Sequence, residues 1–525
     1  MTYYGSYYEI SRRIHYQPCH WQQCRMLYLF VAFAFLFLFV CCSRGRRHQQ
    51  QHTKNKYKTN PTNQHTSCLS LSLSLFLAFL TVSTTVQLII VYTPTTMSGD
   101  NGNKKQKLVH TSGAPIYIET ASAPTNIATI KYWGKADAKW NTPINDSVSV
   151  TLDQEDLKAV TTVAASTAFE KDRLWLNGEE DEGAATNKRF RACVDGVRAL
   201  ATDKVDPETG KVLVSKGDWS KMHVHVSSYN TFPTAAGLAS SAAGYAALVA
   251  ALGMLFGAKE EFPGQLTTIA RQGSGSACRS LNGGFVAWRR GGEKEDWTDS
   301  LAEQVADENH WPEIRAVIMV VSDAKKDTSS TTGMSTSVET SLLLKHRADT
   351  VVAKRMETIE RAFLAKDFET FGQITMADSN QFHATCLDTY PPIFYMNDTS
   401  KSIVRIVHAY NKWAGQIRAA YTFDAGPNAV LFTLDEFVVE VGALMLHYYP
   451  EFGDQYVSNP DFAKKIKGFK LDPALLEATD KTGRTPNAGD VKMMYYTKSG
   501  PGPQNLTNEI LNLDPVTGLN TYKKD

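Results

Sequence analysis

The chain has 525 residues, of which 55 are basic and 54 are acidic. This length is too great for a single compact core and predicts two domains with additional segments. Neutralising nucleic-acid phosphates requires clustered Lys and Arg, and the body of the chain is mildly acidic. We therefore expect no nucleic-acid partner.

Residues 1–96 differ in composition from the rest of the chain. They hold nine basic residues and one acidic residue, and two apolar stretches lie within residues 26–92. Such stretches are typical of membrane anchors. The Ser-Leu alternation over residues 67–77 instead favours upstream sequence read through as protein, with Met97 as the true start. We expect membrane contact only if residues 26–92 are translated.

Five of the eight cysteines lie in that leading segment, and Cys193, Cys278 and Cys386 are scattered through the body. These three form no Cys-x-x-Cys pair and no His/Cys cluster at metal-ligand spacing. This usage indicates a reducing compartment, with neither a disulfide framework nor a structural zinc site.

In chain order, period-two runs of β-branched residues predict the first strands of the body. These runs are PIYIETASAP (115–124), SVSVTL (147–152) and LKAVTTVAAS (157–166). Apolar residues at helical spacing predict a helix over residues 187–200. The alternation in MHVHVSS (222–228) predicts a strand with one face in water.

The next segment, PTAAGLASSAAG (233–244), combines small side chains, hydroxyls and the start of an apolar helix. Main-chain N–H groups and the helix dipole stabilise anions at such a position. The segment lacks the Gly-Lys-Ser/Thr ending of a P-loop, so a nucleotide site here would have another design. A small-residue helix packed closely on a sheet explains the composition equally well, and both can be true at once.

Beyond it, the patterns predict a helix over residues 266–272 and a strand ending at Trp288. A strand over residues 316–322 precedes three helical stretches within residues 336–378. The run AAYTFDAGPNAVLFTL (419–434) predicts two strands joined by a turn. Strands and helices that mix without strict alternation indicate an α+β fold.

The pattern Pro-x-x-x-Gly-Leu-x-Ser-Ser-Ala resembles the phosphate loop of the superfamily that contains galactokinases, homoserine kinases, mevalonate kinases and phosphomevalonate kinases. Ala239 stands where these kinases usually have a third Gly, and this form resembles the mevalonate diphosphate decarboxylases. Further segments resemble the same family, namely residues 121–135, 273–288, 322–334, 378–400 and 421–430. The resemblance runs from about Ile116 to the end of the chain.

The resemblance implies an α+β, two-domain fold of the kinase superfamily with a cleft between the domains. It places an unrelated N-terminal extension over residues 1–108, an ATP-binding domain over 109–310 and a decarboxylase domain over 311–525. It also suggests a cytosolic homodimer. The segment KSGPGPQ (498–504) is longer than the terminal Gly-Pro-Gln element expected in the family. That difference concerns the local loop and not the activity.

The activity implied is the ATP-dependent decarboxylation of mevalonate 5-diphosphate. ATP phosphorylates the tertiary alcohol, after which phosphate and CO2 leave to give isopentenyl diphosphate. We expect ATP with Mg²⁺, the ion being held mainly by phosphates and water. The competing hypotheses are a small-molecule kinase of the same superfamily and a membrane-tethered scaffold.

The resemblance assigns five residues to the reacting centre. Asp424 orients or deprotonates the hydroxyl, and Arg279 binds the carboxylate that departs as CO2. Ser241 aligns the γ-phosphoryl group, while Lys131 and Asn126 lie near the reaction. Without the resemblance, Asp424 would be a turn residue and Arg279 an exposed residue at a helix start.

The resemblance also implies two sets of binding residues. The substrate set comprises Tyr132, Trp133, Gly134, Lys135, Arg189, Ser274, Gly275, Ser276, Ala277, Cys278, Arg279 and Thr331. The ATP set comprises Pro233, Ala236, Gly237, Leu238, Ala239, Ser240 and Ser241. We interpret His383 and Cys386 as packing residues, because the reaction requires no covalent enzyme intermediate.

Overall fold

The computed structural model describes residues 113–232, 240–322, 326–453 and 455–523. The predictions for the leading segment therefore lie outside the described residues. Among the described residues, every helix is too short or too polar to cross a membrane.

The strands and helices mix along the described chain, as predicted for an α+β fold. The strands are β1 (Tyr117–Pro124), β2 (Asn126–Ile130), β3 (Lys135–Asp137), β4 (Thr142–Pro143), β5 (Ser147–Thr151), β6 (Lys158–Ser166), β7 (Arg173–Leu176), β8 (Glu179–Glu180), β9 (Lys204–Val205), β10 (Val212–Val214), β11 (His223–Asn230), β12 (Phe285–Trp288), β13 (Ala302–Ala306), β14 (Ile314–Val320), β15 (Ala419–Phe423), β16 (Ala429–Leu434), β17 (Met493–Lys498) and β18 (Gln504–Asn505). The α-helices are α1 (Lys188–Ala199), α2 (Ser240–Phe256), α3 (Gln265–Gly273), α4 (Ser330–Thr340), α5 (Leu342–His346), α6 (Val352–Ala365), α7 (Phe368–Asp388), α8 (Asp398–Ala414), α9 (Val438–Tyr448), α10 (Pro460–Gly468) and α11 (Pro473–Asp480). Shorter 3₁₀ segments and one π-helical turn complete the set: Ala184–Thr186, Lys216–Lys221, Gly275–Leu281 and Arg347–Val351.

The first half of the described chain is built on two larger sheets, and the C-terminal strand β18 joins the edge of one of them. One has the strand order β18-β1-β6-β11-β7-β8, and the other has the order β13-β12-β5-β2. Helix α2 lies on β1 and β6, where its Ala243, Ala246 and Ala247 pack against Ala123 and Ala159. These small side chains let the helix approach the sheet closely. The packing interpretation of the small-residue helix is therefore correct for α2.

The second half is built on an antiparallel sheet with the order β15-β16-β14-β17. Helix α7 runs along this sheet and contacts both β15 and, from the first half, β2. One apolar core joins the halves, since Ile127 and Phe285 share a cluster with Val317 and Phe371. The helical stretches predicted within residues 336–378 extend further in both directions, from Ser330 to Asp388.

The prediction of a water-facing side for β11 is wrong. His225 and Ser227 are buried because the C-terminal segment returns to cover them. The His225 ring nitrogen Nδ1 lies 2.9 Å from the Gly518 carbonyl oxygen, and the Ser227 hydroxyl donates to Asn520 at 2.7 Å. A local alternation cannot reveal a cover that lies nearly three hundred residues away in the chain.

The long segment noted at KSGPGPQ connects β17 to β18 in close contact with the first half. A Cβ atom on Gly500 would overlap the Cα of Asp153, and a Cβ on Gly283 would lie 2.8 Å from the Cα of Pro501. Main-chain hydrogen bonds from Gly500 to Thr151 and from Gly284 to Gly500 seal the contact. The close contact between this segment and the first half therefore requires glycine at positions 283 and 500.

We expect Gly500→Ala to destabilise the protein, because the added methyl group meets backbone that cannot rotate away. The cost should be about 1–3 kcal/mol, as for overpacked interiors. Gly217→Ala is the matched control, since its Cβ would meet nothing within 4 Å. Thermal unfolding of both variants measures the difference, and equal midpoints would contradict the packing argument.

Candidate active site

A cavity of about 590 Å³ lies between the first and second halves of the described chain. Most of the residues predicted from the family resemblance line it. They are Asn126, Lys131, Tyr132, Trp133, Lys135, Arg189, Ser240, Ser241, Ser274, Gly275, Ser276, Arg279, Thr331 and Asp424. The structure thus brings together residues that are up to 298 positions apart, from 126 to 424.

An ion pair stands at the centre of this cleft. Lys131 directly follows β2, and Asp424 directly follows β15; the Lys131 ammonium lies 2.6 Å from the Asp424 carboxylate. The ammonium also donates to the Ala128 carbonyl oxygen at 2.6 Å. Burial lowers the pKa of Lys131, and the charge of Asp424 opposes that shift. The Asp424 side chain is 34% exposed, so its carboxylate faces the cleft.

Arg279 is buried beside this pair, with 2% exposure, in the 3₁₀ segment Gly275–Leu281. Its Nη1 donates to Ser147 at 2.6 Å, and its Nε donates to Ser149 at 3.0 Å and to Asn126 at 3.1 Å. Without the family resemblance, the sequence predicts an exposed arginine at this position. That prediction is wrong. Burial lowers the pKa of Arg279, and its hydrogen-bond partners are neutral, so an anion bound in the cleft would offset its charge.

Asn126 and Tyr132 complete the wall around Arg279. The Asn126 amide donates to the Ser276 carbonyl oxygen at 3.0 Å and to the Ser280 hydroxyl at 2.8 Å. Its oxygen is therefore directed at Arg279. The Tyr132 ring meets Trp288 edge to face with centroids 4.7 Å apart, and burial raises the pKa of Tyr132 to about 12. The side chains of this wall are uncharged, so the Arg279 charge remains available to a bound anion.

A second group of cations borders the cleft at the starts of two helices. Arg189, in the first turn of α1, donates to the Thr331 hydroxyl of α4 at 3.2 Å. Burial lowers the pKa of the nearby Lys135, and the Arg189 charge lowers it further. The N-terminus of α4 carries Ser329 as its cap. Helix N-termini and adjacent cations bind phosphate groups.

The phosphate-loop residues are described only in part. Ser240 begins α2, and the Ser241 hydroxyl lies 3.1 Å from that of Ser274. Pro233, Ala236, Gly237, Leu238 and Ala239 lie outside the described residues. Ser240 and Ser241 also line a second cavity of about 240 Å³, together with Leu174, Asn177, Phe190 and Tyr245.

Comparison with known proteins supports one assignment for this cleft. The family described as the diphosphomevalonate decarboxylase-like N-terminal domain matches residues 123–302. The mevalonate 5-diphosphate decarboxylase C-terminal domain matches residues 316–506. The diphosphomevalonate decarboxylase of Rattus norvegicus is 51% identical over 404 residues, which cover 76% of this chain and 96% of that protein. The chain belongs to the mevalonate 5-diphosphate decarboxylase family.

Solved structures of this family show the same fold. The mevalonate diphosphate decarboxylase from Trypanosoma brucei is 36% identical with a TM-score of 0.67, covering 75% of this chain and 99% of that one. A structure of MDDEF in complex with MVAPP, AMPPCP and magnesium is 29% identical with a TM-score of 0.57, covering 74% and 99%. The two-domain kinase-superfamily fold expected from the resemblance is confirmed by these likenesses.

Three residues of the predicted substrate set do not line the cleft of this decarboxylase. A Cβ on Gly134, where φ is +99°, would lie 2.7 Å from the Val338 side chain, so Gly134 permits close packing. Ala277 lies in the core of the first half. Cys278 is buried, and burial raises the pKa of its thiol to about 12. We infer that these three shape the wall without facing a ligand.

Other lining residues were not predicted from the sequence. They include Lys326, Ser329, Ser330, Asn141 and Phe382. Burial lowers the pKa of Lys326, and Asp424 opposes that shift. The segment 322–334 contains three of these residues and already resembled the family, so it was the signal that could have identified them. Ser240 and Ser241 of the second cavity belong to the predicted ATP set, whereas its lining residues Leu174, Asn177 and Tyr245 had no comparable signal.

His383 and Cys386 are interior residues of α7, in agreement with their interpretation as packing residues. The His383 ring contacts Phe382 and Phe423, and its Nε2 has no hydrogen-bond partner among the described residues. Burial, with a contribution from the Lys131 charge, lowers the pKa of His383 to about 4. The imidazole is therefore neutral in the folded protein at neutral pH.

This neutral histidine predicts a loss of stability in acid. The unfolded chain binds a proton near the ordinary histidine pKa, whereas the folded protein does so only near pH 4. The free energy of unfolding should therefore fall from about pH 6.5 to pH 4, by about 3 kcal/mol from this residue alone. His383→Gln should flatten the dependence, while the exposed control His346→Gln should not. Denaturant titrations across this range test it, and an unchanged slope in His383→Gln would refute it.

Proposed function

We propose that this chain catalyses the ATP-dependent decarboxylation of mevalonate 5-diphosphate to isopentenyl diphosphate, with release of ADP, phosphate and CO2. The observation that carries the proposal is the pairing of two features in one cleft. The Lys131–Asp424 pair supplies a carboxylate, and the buried Arg279 supplies a guanidinium whose partners are neutral. The substrate offers a hydroxyl for the first and a carboxylate for the second.

Asp424 acts on the tertiary hydroxyl. Its carboxylate accepts a hydrogen bond from that hydroxyl and takes up the proton as the oxygen bonds to the γ-phosphorus of ATP. The neighbouring Lys131 ammonium favours the ionised carboxylate and fixes one of its oxygens at 2.6 Å. Hydrolysis of ATP by water would compete with this transfer. The orientation of the substrate hydroxyl therefore matters as much as the basicity of the Asp424 carboxylate.

Arg279 binds the substrate carboxylate. A guanidinium can donate two parallel hydrogen bonds to a carboxylate, and the neutral surroundings of Arg279 strengthen that interaction. Once the C3 oxygen is phosphorylated, the bond between the carboxylate carbon and C2 breaks. Its electron pair forms the C2–C3 double bond as the C3–oxygen bond breaks, so that phosphate and CO2 leave together in balance.

The remaining cations and hydroxyls suit the phosphate groups. Lys135, Arg189 and Thr331 would bind the substrate diphosphate at the start of α4. Ser240 and Ser241, with residues 233–239 outside the described residues, would bind the ATP phosphates. The second cavity adjoins these serines and would take the nucleoside.

Magnesium would accompany the nucleotide. Among the described residues, no group of three His, Cys, Asp or Glu side chains is placed to hold a metal. As the family resemblance implies, the ion would be held mainly by phosphate and water oxygens and would neutralise phosphate charge. We also propose, on the resemblance alone, the boundaries 109–310 and 311–525 and a cytosolic homodimer.

We expect the full chain, mixed with ATP, Mg²⁺ and carboxyl-labelled mevalonate 5-diphosphate, to release CO2 and ADP in equal amounts. The two products report the two halves of the reaction separately. ADP without CO2 would favour the kinase hypothesis. Neither product would favour the scaffold hypothesis.

We expect Asp424→Asn to retain ATP binding while losing nearly all turnover, by about a hundredfold or more, because the amide cannot accept the hydroxyl proton. Asp398→Asn is the matched control, since the Asp398 side chain is 99% exposed. Rapid-quench turnover and fluorescent-nucleotide binding measure the two effects. Normal turnover in Asp424→Asn would refute the assigned role.

A further inference from the structure

Helix α7 contacts both strands that precede the central ion pair, β2 and β15. Two consecutive residues of this helix, Asp378 and Ser379, are buried at 0% and 1% exposure. Neither lines the cleft. Their side chains are therefore unable to touch a ligand there, yet both bind main chain that leads to the pair.

Asp378 and Arg347 hold the main chain of Lys131 from both sides. The Lys131 N–H donates to the Asp378 carboxylate at 2.8 Å, and Arg347 donates to the Lys131 carbonyl oxygen at 2.8 Å. Arg347 also binds both carboxylate oxygens of Asp378, at 2.7 and 2.8 Å. Burial alone would raise the pKa of Asp378, but the Arg347 charge holds it below its ordinary value.

The burial of the Arg347–Asp378 ion pair costs free energy, which indicates a role other than stabilising the fold. Arg347 and Asp378 both have 0% side-chain exposure, and a buried ion pair is often no more stabilising than apolar residues of the same volume. Arg347 begins the π-helical turn Arg347–Val351, an irregularity that is frequent at functional sites. The pair binds both the N–H and the carbonyl oxygen of Lys131, and Asn145 adds a longer hydrogen bond of 3.2 Å to the carbonyl oxygen alone.

Ser379 performs the corresponding task for Asp424. The N–H of Phe423, the residue before Asp424, donates to the Ser379 hydroxyl at 3.0 Å. Phe423 ends β15, where pairing with β16 runs out at Ala429. The serine therefore holds the strand at the point where Asp424 departs from the sheet.

We propose that Asp378 and Ser379, with Arg347, are positioning residues that set the distance between the Lys131 ammonium and the Asp424 carboxylate. Lys131 and Asp424 directly follow strands of two different sheets, so no strand pairing fixes their separation. One helix that binds both main chains gives them a common reference. The expected effect on turnover rests on the function proposed above, whereas the expected effect on the Lys131–Asp424 distance does not.

Ser379→Ala is the test variant. Asp378→Asn would leave the buried Arg347 without its anionic partner and risks misfolding. Tyr421→Phe is the control, because it removes a hydrogen bond of 3.0 Å from β15 to Asn380, the next residue of α7, together with the contact of the same hydroxyl to His408. Ser379→Thr keeps the hydroxyl and serves as the rescue variant.

We expect Ser379→Ala to lower kcat by about tenfold while the KM for ATP changes by less than about twofold, since misplacement affects the reacting groups and not nucleotide binding. The alkaline limb of the kcat profile should move to lower pH, because Lys131 loses part of the influence of Asp424 on its pKa. A crystal structure should show a longer Lys131–Asp424 distance. Tyr421→Phe should show none of these changes, and Ser379→Thr should restore the unaltered values.

An unchanged kcat and an unchanged ion-pair distance in Ser379→Ala would overturn the proposal, even if the variant melts earlier. Equal losses in Ser379→Ala and Tyr421→Phe would also overturn it, since they would reflect general loosening of α7. The function proposed above has a separate test, since it would be refuted if the unaltered chain released no CO2. The crystallographic distance then still decides the positioning role.

Discussion

A lysine ammonium in a protein interior needs an anion close by, and this requirement organises the centre of the molecule. Lys131 is 3% exposed and finds its anion in Asp424, which lies on the other half of the chain 293 residues away. The two halves must therefore meet at this point for the charge to be tolerated. The shared apolar core around Ile127 and Val317 supplies the free energy that holds them there.

The rest of the cleft has an imbalance of charge that suits its proposed ligands. Arg279 has neutral partners, Arg189 binds a hydroxyl, and burial lowers the pKa of Lys135 and Lys326. Such a cleft is unfavourable when empty and favourable when it holds a carboxylate and phosphates. Ligand binding should therefore stabilise the fold by mass action.

Much of the local structure could be predicted from sequence patterns. The strands β1, β5 and β6 follow from their runs of β-branched residues with period-two character, although both faces of these strands are buried. The helix α1 follows from the helical spacing of apolar residues, because it presents one face to a core. Strand β11 was predicted with the correct type but the wrong surroundings, since the covering segment at Gly518 and Asn520 is remote. The family motifs identified most of the lining residues because those motifs carry side chains that face the ligand.

The sequence by itself determined the element types, the family and the residues whose chemistry suits phosphate and carboxylate groups. Only the tertiary structure decided which buried residues hold that chemistry in place. Asp378 and Ser379 lie on α7, and Arg347 begins the π-helical turn before α6. Residues 378–400 resemble the family, but that resemblance does not say which main-chain groups these side chains bind. The part of the second cavity that Leu174, Asn177 and Tyr245 form was equally hidden. The positioning contacts and the second cavity both form where segments that are distant in the sequence pack together. Such packing depends on the fold of the whole chain and not on any one stretch of it.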